Sequence, residues 1–397
     1  MIYFDNSATT QVDPQVAEAM LPYLTAEYGN PSSKYYLPAE RAAQAVEDSR
    51  AQVAALIHAK PEEIVFTCGA TESSNLIIKG VADYKKYYEH AGNHIITSKA
   101  EHHATLNTCR FLNGELYSNH DSTFSLGGGS VRVDRGYEVT FLDVDPYGKV
   151  LAADLERAIR PTTTLITIMW ANNEIGTLND IKGLCEIAHR HQVLFHTDAT
   201  QVSGKLPIDV RELPVDHMSL SAHKFHGPKG VGAAFIRGDL YGLPPITSLL
   251  HGGEQEAGIR AGTLAVHSIV GFGKAAELAR NRQEEIRTAL ERKDAQARQL
   301  LAAEPDLEVL GDPDAHVPGL LSIVVHKDTF DNERFIRRIC DRFAVSAGSA
   351  CTAGQPSHVL QAIGKGDETS RVLRISLAHD SDLDDLAELI EALRGIE

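Results

Sequence analysis

The stretch Ser221-Ala222-His223-Lys224-Phe225-His226-Gly227-Pro228-Lys229-Gly230 places a lysine, Lys224, among small residues directly after a predicted strand at 216–220. Small residues let the backbone approach a phosphate closely, and a desolvated lysine amine can bind a carbonyl cofactor covalently. The alternative is an ordinary surface lysine. The residues upstream favour the cofactor anchor.

The upstream stretch Phe195-His196-Thr197-Asp198-Ala199-Thr200-Gln201 ends a second apolar strand with an acid. Ligands collect at the carboxyl ends of strands in open parallel sheets. Pyridoxal phosphate needs a lysine amine and an acid that faces its ring nitrogen. We therefore predict a pyridoxal phosphate site with Lys224 and Asp198, in which Gln201 donates to the phenolic oxygen. A turn residue or a helix cap is the alternative for Asp198.

A phosphate contact is predicted at Thr67-Cys68-Gly69-Ala70-Thr71-Glu72, where a strand ends and a helix begins. The first N–H groups of a helix and its dipole attract an anion. Ala70 allows close approach of the backbone, and Thr71 adds a hydroxyl group. Ser221 and His223 can reach the same phosphate. A plain helix cap is the alternative.

Short apolar runs alternate with helical patterns, which predicts an α/β fold with a mostly parallel sheet. The strands predicted for this sheet are 64–67, 94–97, 137–142, 164–170, 193–196, 216–220 and 231–236, and the helices are 72–88 and 180–192. Residues 263–303 stay helical and predict one or two long helices that link two domains. The second, smaller domain is predicted to be α+β, with strands 320–325 and 372–377 and helices 332–343, 357–363 and 383–393. We predict a large cofactor-binding domain at 15–262 and a small domain formed by 1–14 and 263–397.

The composition is that of a globular protein, with 43% hydrophobic and 23% charged residues among 397. No apolar run is long enough to cross a bilayer, so we expect no membrane partner. The net charge of −16 disfavours nonspecific binding to nucleic acid, so small molecules and proteins are the expected partners. The N-terminus lacks a basic region followed by an apolar one, and we expect a cytoplasmic protein.

Five cysteines show no paired metal-ligand spacing, and we predict neither a metal site nor a disulfide framework. Cys109, Cys185 and Cys340 lie in helical patterns and are predicted to be buried. Cys351 differs, because Ser346-Ala347-Gly348-Ser349-Ala350-Cys351-Thr352-Ala353-Gly354-Gln355-Pro356 surrounds it with small residues and no apolar periodicity. We predict an exposed, mobile thiol whose thiolate acts as a nucleophile.

Two features leave alternatives open. Arg374 alternates with apolar neighbours on a predicted strand, where it forms a structural ion pair or clamps a substrate carboxylate through its planar guanidinium. The segment 113–136, which contains Gly127-Gly128-Gly129, is predicted to be a long loop or a hairpin. It is either a tolerated surface insertion or a functional loop.

Together these motifs resemble the cysteine desulfurases, which are pyridoxal-phosphate enzymes of the class V aminotransferase group with fold type I. The resemblance runs nearly from end to end. Its landmarks are Tyr3-Phe4-Asp5-Asn6-Ser7-Ala8-Thr9-Thr10, Gly29-Asn30-Pro31-Ser32-Ser33, Gly69-Ala70-Thr71-Glu72, Glu101-His102, Asn172-Asn173-Glu174-Ile175-Gly176, Asp198-Ala199-Thr200-Gln201, Ser221-Ala222-His223-Lys224, Gly252-Gly253-Glu254-Gln255-Glu256, Arg260-Ala261-Gly262-Thr263 and Gly348-Ser349-Ala350-Cys351-Thr352. It implies a fold type I transferase with a large, mostly parallel-sheet domain and a smaller α+β domain.

The resemblance implies an enzyme that converts L-cysteine to L-alanine and forms a persulfide on Cys351. A protein acceptor would take this sulfur for iron–sulfur cluster assembly, tRNA thiolation or DNA sulfur modification. Lys224 is implied to be the Schiff-base lysine, and His102 to stack on the cofactor ring and assist proton transfer. The catalytic residues implied are therefore Cys351, Lys224 and His102.

The resemblance also implies a set of binding residues. The residues implied to bind the cofactor are Ala70, Thr71, His102, Asn173, Asp198, Gln201, Ser221, His223, Lys224 and Thr263. Asn173 and Arg374 are implied to contact the substrate carboxylate. Thr263 is implied to reach the phosphate of a neighbouring subunit, so we expect a homodimer with shared sites.

Two other functions are compatible with the same residues. A selenocysteine lyase shares the fold and can work without the cysteine nucleophile. A non-catalytic scaffold could keep the fold and bind proteins that handle sulfur. The chain departs from the family pattern at Tyr35 and Pro38, where a His and a Gly are frequent. These departures bear on the substrate entrance or the dimer contact and leave the predicted chemistry unchanged.

Overall fold

The structure is a computed structural model that describes residues 1–116, 131–239, 241–348 and 356–396. The helices are α1 Pro14–Met20, α2 Pro22–Thr25, α3 Leu37–Leu56, α4 Ala70–Tyr87, α5 His103–Leu112, α6 Ala152–Ala158, α7 Ile181–Arg190, α8 Val266–Asn281, α9 Gln283–Ala302, α10 Asn332–Ile339, α11 His358–Ala362 and α12 Leu383–Arg394. The strands are β1 Ile2–Tyr3, β2 Ile64–Thr67, β3 His94–Ser98, β4 Glu115–Leu116, β5 Val131–Arg132, β6 Glu138–Leu142, β7 Thr163–Thr167, β8 Leu194–Asp198, β9 His217–Ser221, β10 Gly232–Ile236, β11 Leu307–Val309, β12 Leu320–Val325, β13 Phe343–Ala344 and β14 Val372–Ser376.

A seven-stranded sheet organises the larger part of the chain, in the order β2-β10-β9-β8-β7-β3-β6. Strands β9, β8, β7, β3 and β6 run parallel, and β10 is antiparallel to both of its neighbours. The predicted α/β fold with a mostly parallel sheet is confirmed. Because β8 and β9 are parallel, with Asp198 opposite Ser219, both strands end at the same edge of the sheet. This edge carries the predicted cofactor residues.

Burial on both faces explains why these strands read as continuous apolar runs rather than alternating ones. All residues of β2, β3, β7, β9 and β10 are buried. Helix α4 covers one face and buries Leu76, Ile77 and Val81. Helix α8 contributes Ile269 and Phe272 to the core on which α3 also packs. The sheet is therefore enclosed by helices and leaves its carboxyl edge for the site.

A second core surrounds a three-stranded antiparallel sheet in the order β11-β12-β14, together with residues of α9, α10 and α12. The strand and helix order predicted for this part is confirmed, with one correction. The helix predicted at 332–343 ends at Ile339, because Phe343–Ala344 form β13, which pairs in parallel with β1. The helical stretch 263–303 consists of α8 and α9. The domain boundaries at 14 and 262 stay predictions.

The three cysteines predicted to lie in helices differ in burial, according to their place relative to the helix. Cys109 and Cys185 are buried, as predicted, and burial raises the pKa of each thiol. The prediction for Cys340 was wrong, because it directly follows the last turn of α10 and is exposed. Periodicity cannot locate the point at which a helix stops, and here the helix stops one residue before this thiol.

The segment 113–136 begins and ends as a hairpin, since β4 and β5 pair antiparallel. This agrees with the predicted loop or hairpin, and residues 117–130 lie outside the described residues. Within the described ranges, no helix combines the length and the apolar character that crossing a membrane requires. In the same part of the chain, no three His, Cys, Asp or Glu side chains are grouped so that they could hold a metal ion.

The loop that precedes Thr263 is held by a buried ion pair. Glu256 has φ 49° and ψ 46°, in the left-handed region that costs a non-glycine residue about 1–2 kcal/mol. Its carboxylate is bound through both oxygens by Arg50 at 2.8 Å and accepts the Phe66 N–H at 2.7 Å. The Glu256 side chain is only 1% exposed. These bonds offset the backbone strain and fix the path of the loop.

We predict that Glu256→Gln destabilises the fold by about 3–5 kcal/mol, because it leaves the Arg50 guanidinium without its charge partner. The measurement is the urea midpoint followed by circular dichroism. Glu284→Gln is the matched control, since its ion pair with Arg287 is exposed and worth no more than about 1 kcal/mol. Equal midpoints for the two variants would contradict the prediction.

Candidate active site

The turn between β2 and α4 forms the predicted anion cradle. Ala70 is the first helical residue and Thr71 follows it, so the N–H groups of this turn have no partner inside the helix. Gly232 of the neighbouring strand packs directly against the cradle. A Cβ atom on Gly232 would lie 2.5 Å from the carbonyl oxygen of Leu220 and 2.7 Å from the backbone of Gly69. Only glycine lets β10 approach this closely.

Glu72 braces the cradle from within the first turn of α4. Its carboxylate accepts the Cys68 N–H at 2.7 Å and pairs with Arg260, whose Nε donates to Oε1 at 2.8 Å. Burial opposes the charged form, but the hydrogen bonds from Arg260 and Cys68 outweigh it and lower the pKa of Glu72. The cradle is thereby connected to the loop that leads to Thr263.

Lys224 lies at the end of a single 3-10 turn, Ala222–Lys224, that follows β9. Its side chain is half-buried, and Nζ donates to the carbonyl oxygens of Ser7 at 2.5 Å and Ala8 at 2.8 Å. These carbonyls belong to the N-terminal segment, which crosses the carboxyl edge of the sheet. The predicted anchor lysine is therefore held at this edge by the backbone of a distant part of the chain.

Asp198 and Gln201 lie beside this lysine, at the end of β8. Asp198 is 5% exposed, and its Oδ1 accepts the Thr200 N–H at 2.9 Å. Gln201 donates through Nε2 to the Ser7 carbonyl at 3.0 Å. Because Lys224 donates to the same oxygen, the sequence-predicted amine and amide meet at one atom.

His223 and Ser221 complete this side of the site. Ser221 is the buried last residue of β9. The Nδ1 atom of His223 lies 3.2 Å from Oγ1 of Thr9. Burial, and then the charges of Lys224 and Lys229, lower the pKa of His223 to about 4. His223 is therefore neutral near pH 7 and contributes hydrogen bonding rather than charge.

The predicted site residue His102 and the acid before it, Glu101, lie between β3 and α5. His102 caps α5, and its Nδ1 accepts the Ala104 N–H at 3.1 Å, so the neutral ring carries its proton on Nε2. Glu101 is fully buried and accepts the Met169 N–H and the Ser98 hydroxyl. Burial, with a smaller contribution from the charge of Asp198, raises the pKa of Glu101 to about 8 against these hydrogen bonds.

Arg374 forms the structural ion pair that was one of its two predicted roles, and its role as a substrate clamp stays a prediction. It is 2% exposed on β14, its Nη2 pairs with Asp5 at 2.8 Å, and its Nη1 donates to the Asn173 carbonyl at 2.9 Å. The structural ion pair is therefore present. The Nε–H is buried without a hydrogen-bond partner within the described part of the chain, so at least this donor is available to a ligand.

Cys351 lies outside the described residues, so its predicted exposure and role stay predictions. The described flanks of its segment are both tied to the site. Ser346 exchanges backbone hydrogen bonds with Arg374 at 2.7 and 3.2 Å. On the other side, the Ser357 hydroxyl donates to Glu174 at 2.5 Å. His358 lies 2.8 Å from the Glu101 carbonyl.

The described residues thus gather most of the predicted site at one edge of the sheet. Thr263 is exposed on the loop before α8. Pyridoxal phosphate requires an amine, an acid and an anion site, and Lys224, Asp198 and the N-terminus of α4 supply them. These residues therefore fit this cofactor. Glu101 was given no role from the sequence, although an acid three residues after an apolar strand was a usable signal. The carbonyls of Ser7 and Ala8 leave no signature in sequence.

Comparisons with known proteins agree with this arrangement. Residues 2–389 match the protein family described as aminotransferase class-V. The cysteine desulfurase IscS of Methylococcus capsulatus is 43% identical over 387 residues, which cover 96% of this chain and 86% of that protein. A solved structure of a NifS-like protein has a TM-score of 0.85 at 32% identity and covers 99% of this chain and 98% of its own. A structure of SspA in complex with cysteine has a TM-score of 0.78 at 36% identity and covers 95% of this chain and 99% of its own.

We predict that Glu101→Gln reduces the loss of stability between pH 5 and pH 8. The folded chain holds the Glu101 proton up to a pKa of about 8, whereas the unfolded chain releases it near 4.5, so wild-type stability falls as the pH rises between these values. The amide keeps an acceptor oxygen and does not titrate. Urea midpoints across this pH range measure the effect.

Glu284→Gln serves as the control, because this carboxylate is exposed and its pKa is lowered by Arg287 rather than raised. Its midpoints should follow the wild-type pH dependence across the same range. Parallel curves for Glu101→Gln and wild type would show that Glu101 does not keep its proton in the folded chain.

Proposed function

The chain belongs to the aminotransferase class-V family and is a pyridoxal-phosphate-dependent cysteine desulfurase, and we propose that it transfers the sulfur of L-cysteine to Cys351 and releases L-alanine. One observation carries the proposal. The amine of Lys224 and the buried carboxylate of Asp198 lie at neighbouring strand ends, beside the N-terminus of α4. A lysine, an acid and an anion cradle at one edge suit this cofactor and this chemistry.

We propose the following contacts for the cofactor. Bound pyridoxal phosphate supplies an electron sink for the charge that develops at the substrate Cα. Lys224 holds it covalently, and Asp198 keeps its ring nitrogen protonated. The residues proposed to complete its binding are Ala70, Thr71, His102, Asn173, Gln201, Ser221, His223 and, from a second chain, Thr263. The N–H groups of the first turn of α4 support the phosphate.

Arg374 and Asn173 are proposed to bind the substrate carboxylate. The ion pair with Asp5 and the bond to the Asn173 carbonyl fix the guanidinium before substrate arrives. A rigid donor loses little conformational entropy on binding, which favours a defined orientation of the substrate. Its buried Nε–H has no hydrogen-bond partner among the described residues and is proposed to donate to the carboxylate.

Proton and sulfur transfer are proposed to use three side chains. The Lys224 amine takes the Cα proton of the substrate, and His102 exchanges a proton through Nε2. The Cys351 thiolate attacks the substrate sulfur, the S–S bond forms as the C–S bond breaks, and the electron pair and a proton go to the substrate Cβ. The balance is L-cysteine plus the Cys351 thiol to L-alanine plus the Cys351 persulfide. No external oxidant is required.

The flanks of the Cys351 segment support this role. Ser346 is bonded to the strand that carries Arg374, and Ser357 to Glu174 in the segment that carries Asn173. Both ends of the segment are therefore attached to the proposed substrate contacts. We propose that Cys351, which lies between these two flanks in the sequence, attacks the substrate sulfur and then passes it to an acceptor.

The partners and the location are also proposals. Thr263 is exposed, and so are apolar side chains in the stretch that follows α1, which suits contact with a second copy. These apolar residues are Leu21, Leu24, Tyr28, Tyr35, Tyr36 and Leu37. We propose a homodimer that passes sulfur to a protein acceptor, for iron–sulfur clusters, thiolated tRNA or sulfur-modified DNA. The free thiols of Cys68 and Cys340 are exposed, which suits the reducing cytoplasm.

We predict that Lys224→Ala abolishes the visible absorption of the purified, cofactor-reconstituted protein, because the covalent attachment is lost. Alanine formation from L-cysteine should fall by about 10²–10⁴-fold with loss of the proton-transfer group. Lys229→Ala is the matched control and should keep both properties, since Lys229 is an exposed lysine of the same stretch. A wild-type protein that stays colourless would favour a non-catalytic scaffold.

We predict that Cys351→Ala abolishes the persulfide and alanine formation from L-cysteine, because no thiolate remains to accept the sulfur. Cys340→Ala, which removes an exposed thiol outside the proposed site, should leave both unchanged. Alanine release and persulfide labelling with mass spectrometry measure the outcome. Undiminished turnover of cysteine in Cys351→Ala would contradict the proposal. Turnover of selenocysteine alone, independent of Cys351, would identify a selenocysteine lyase.

A further inference from the structure

A second lysine lies at the proposed cofactor site and has no part in the chemistry described above. Lys205 follows Gly204 in the turn after β8, and its side chain is partly buried. Its Nζ donates to Oε1 of Gln201 at 3.2 Å. Lys205 and Lys224 both line a cavity of about 870 Å³ behind the N-terminal segment. A solvated surface lysine would not have this position.

The two lysines are connected through one amide and one carbonyl. Lys205 donates to the oxygen of Gln201, and the nitrogen of Gln201 donates to the Ser7 carbonyl at 3.0 Å. Lys224 donates to the same carbonyl at 2.5 Å. Because an ammonium group can only donate, Lys205 fixes the orientation of the Gln201 amide, with its oxygen toward Lys205 and its nitrogen toward Ser7.

The electrostatic surroundings of Lys205 are cationic. Burial, and then the charges of Lys224 and Arg374, lower the pKa of Lys205 to about 7. The bases that line the same cavity are His226, Lys229, Arg282 and His379. The acids that line it are Asp13, Asp380, Asp382 and Asp385, and Tyr3 also lies there. The groups that act most strongly on the Lys205 ammonium are nevertheless cations.

We propose that Lys205 is a positioning residue of the cofactor site, whose ammonium fixes the Gln201 amide and disfavours a second positive charge on Lys224. The proposal rests on the proposed role of Lys224 as the cofactor lysine. Repulsion between two nearby ammonium groups is mutual, so the charge that hinders protonation of Lys205 also hinders protonation of Lys224. A neutral amine is the nucleophilic form, and a neighbouring cation is one way to obtain it near neutral pH.

The test compares Lys205→Met, which removes the charge, with Lys205→Arg, which keeps it. Lys229→Met is the matched control, because it removes an exposed lysine that lines the same cavity. The first readout is the pH at which the visible absorption of the holoenzyme titrates. The second is the pH dependence of reductive methylation of Lys224 in the full chain without cofactor, with formaldehyde and cyanoborohydride as the probe and mass spectrometry as the detector.

We expect Lys205→Met to move both titrations to higher pH by about one unit, a tenfold increase in proton affinity. Lys205→Arg and Lys229→Met should change the proton affinity by less than about twofold. Equal titrations for Lys205→Met and wild type would overturn the proposal. A shift in Lys205→Arg as large as that in Lys205→Met would also overturn it, because shape rather than charge would then be the cause.

Two outcomes distinguish this proposal from a purely structural role of Lys205 and from a failure of the proposed function. Lower thermal stability of Lys205→Met with unshifted titrations would assign Lys205 a purely structural role in its turn and overturn the proposal. If Lys224 did not bind pyridoxal phosphate in the wild-type chain, the proposed function would fail. The methylation titration would still report whether Lys205 acts on the Lys224 amine, so the two failures are distinguishable.

Discussion

The carbonyl oxygen of Ser7 accepts hydrogen bonds from both Lys224 and Gln201, and the geometry of the site depends on this convergence. The segment around Ser7 is fixed from both sides. The Ser7 N–H donates to the Ser376 hydroxyl at 2.8 Å, and the Thr10 N–H donates to the His223 carbonyl at 2.9 Å. A backbone segment pinned at both ends offers its carbonyls at fixed positions, so the two side chains that reach it are fixed as well.

The same segment joins the seven-stranded sheet to the three-stranded sheet. Strand β1 pairs with β13, Asn6 donates to the Ser376 carbonyl, and Asp5 pairs with Arg374. The proposed substrate arginine and the proposed cofactor lysine are therefore held by residues only a few positions apart. Their relative position follows from a short piece of backbone, and it does not require precise packing between the two cores.

The sequence predicted those parts of the site that have a side-chain signature at a strand end. Asp198 and the turn that carries Lys224 follow apolar strands, and parallel pairing brings such ends together whatever the details of packing. The Ser7 carbonyl could not be predicted, because every residue has a carbonyl and only tertiary structure selects one. Lys205 was missed because a lysine in a polar turn has the pattern of a solvated residue. The left-handed backbone at Glu256 was missed because glycine usually marks that conformation.

The charge at the site is opposite in sign to the net charge of the chain. The net charge is −16, yet Lys205, Lys224 and Arg374 place three cationic side chains at the carboxyl edge of the sheet. Partly buried cations that repel one another cost folding free energy, and an anionic ligand offsets this cost when it binds. Burial, together with the charges of Lys224 and Lys229, keeps His223 neutral near pH 7. The clustered positive charge therefore lowers the folding stability of the free chain and raises its affinity for anions. A phosphate and a carboxylate are the anionic groups that the proposed cofactor and substrate carry.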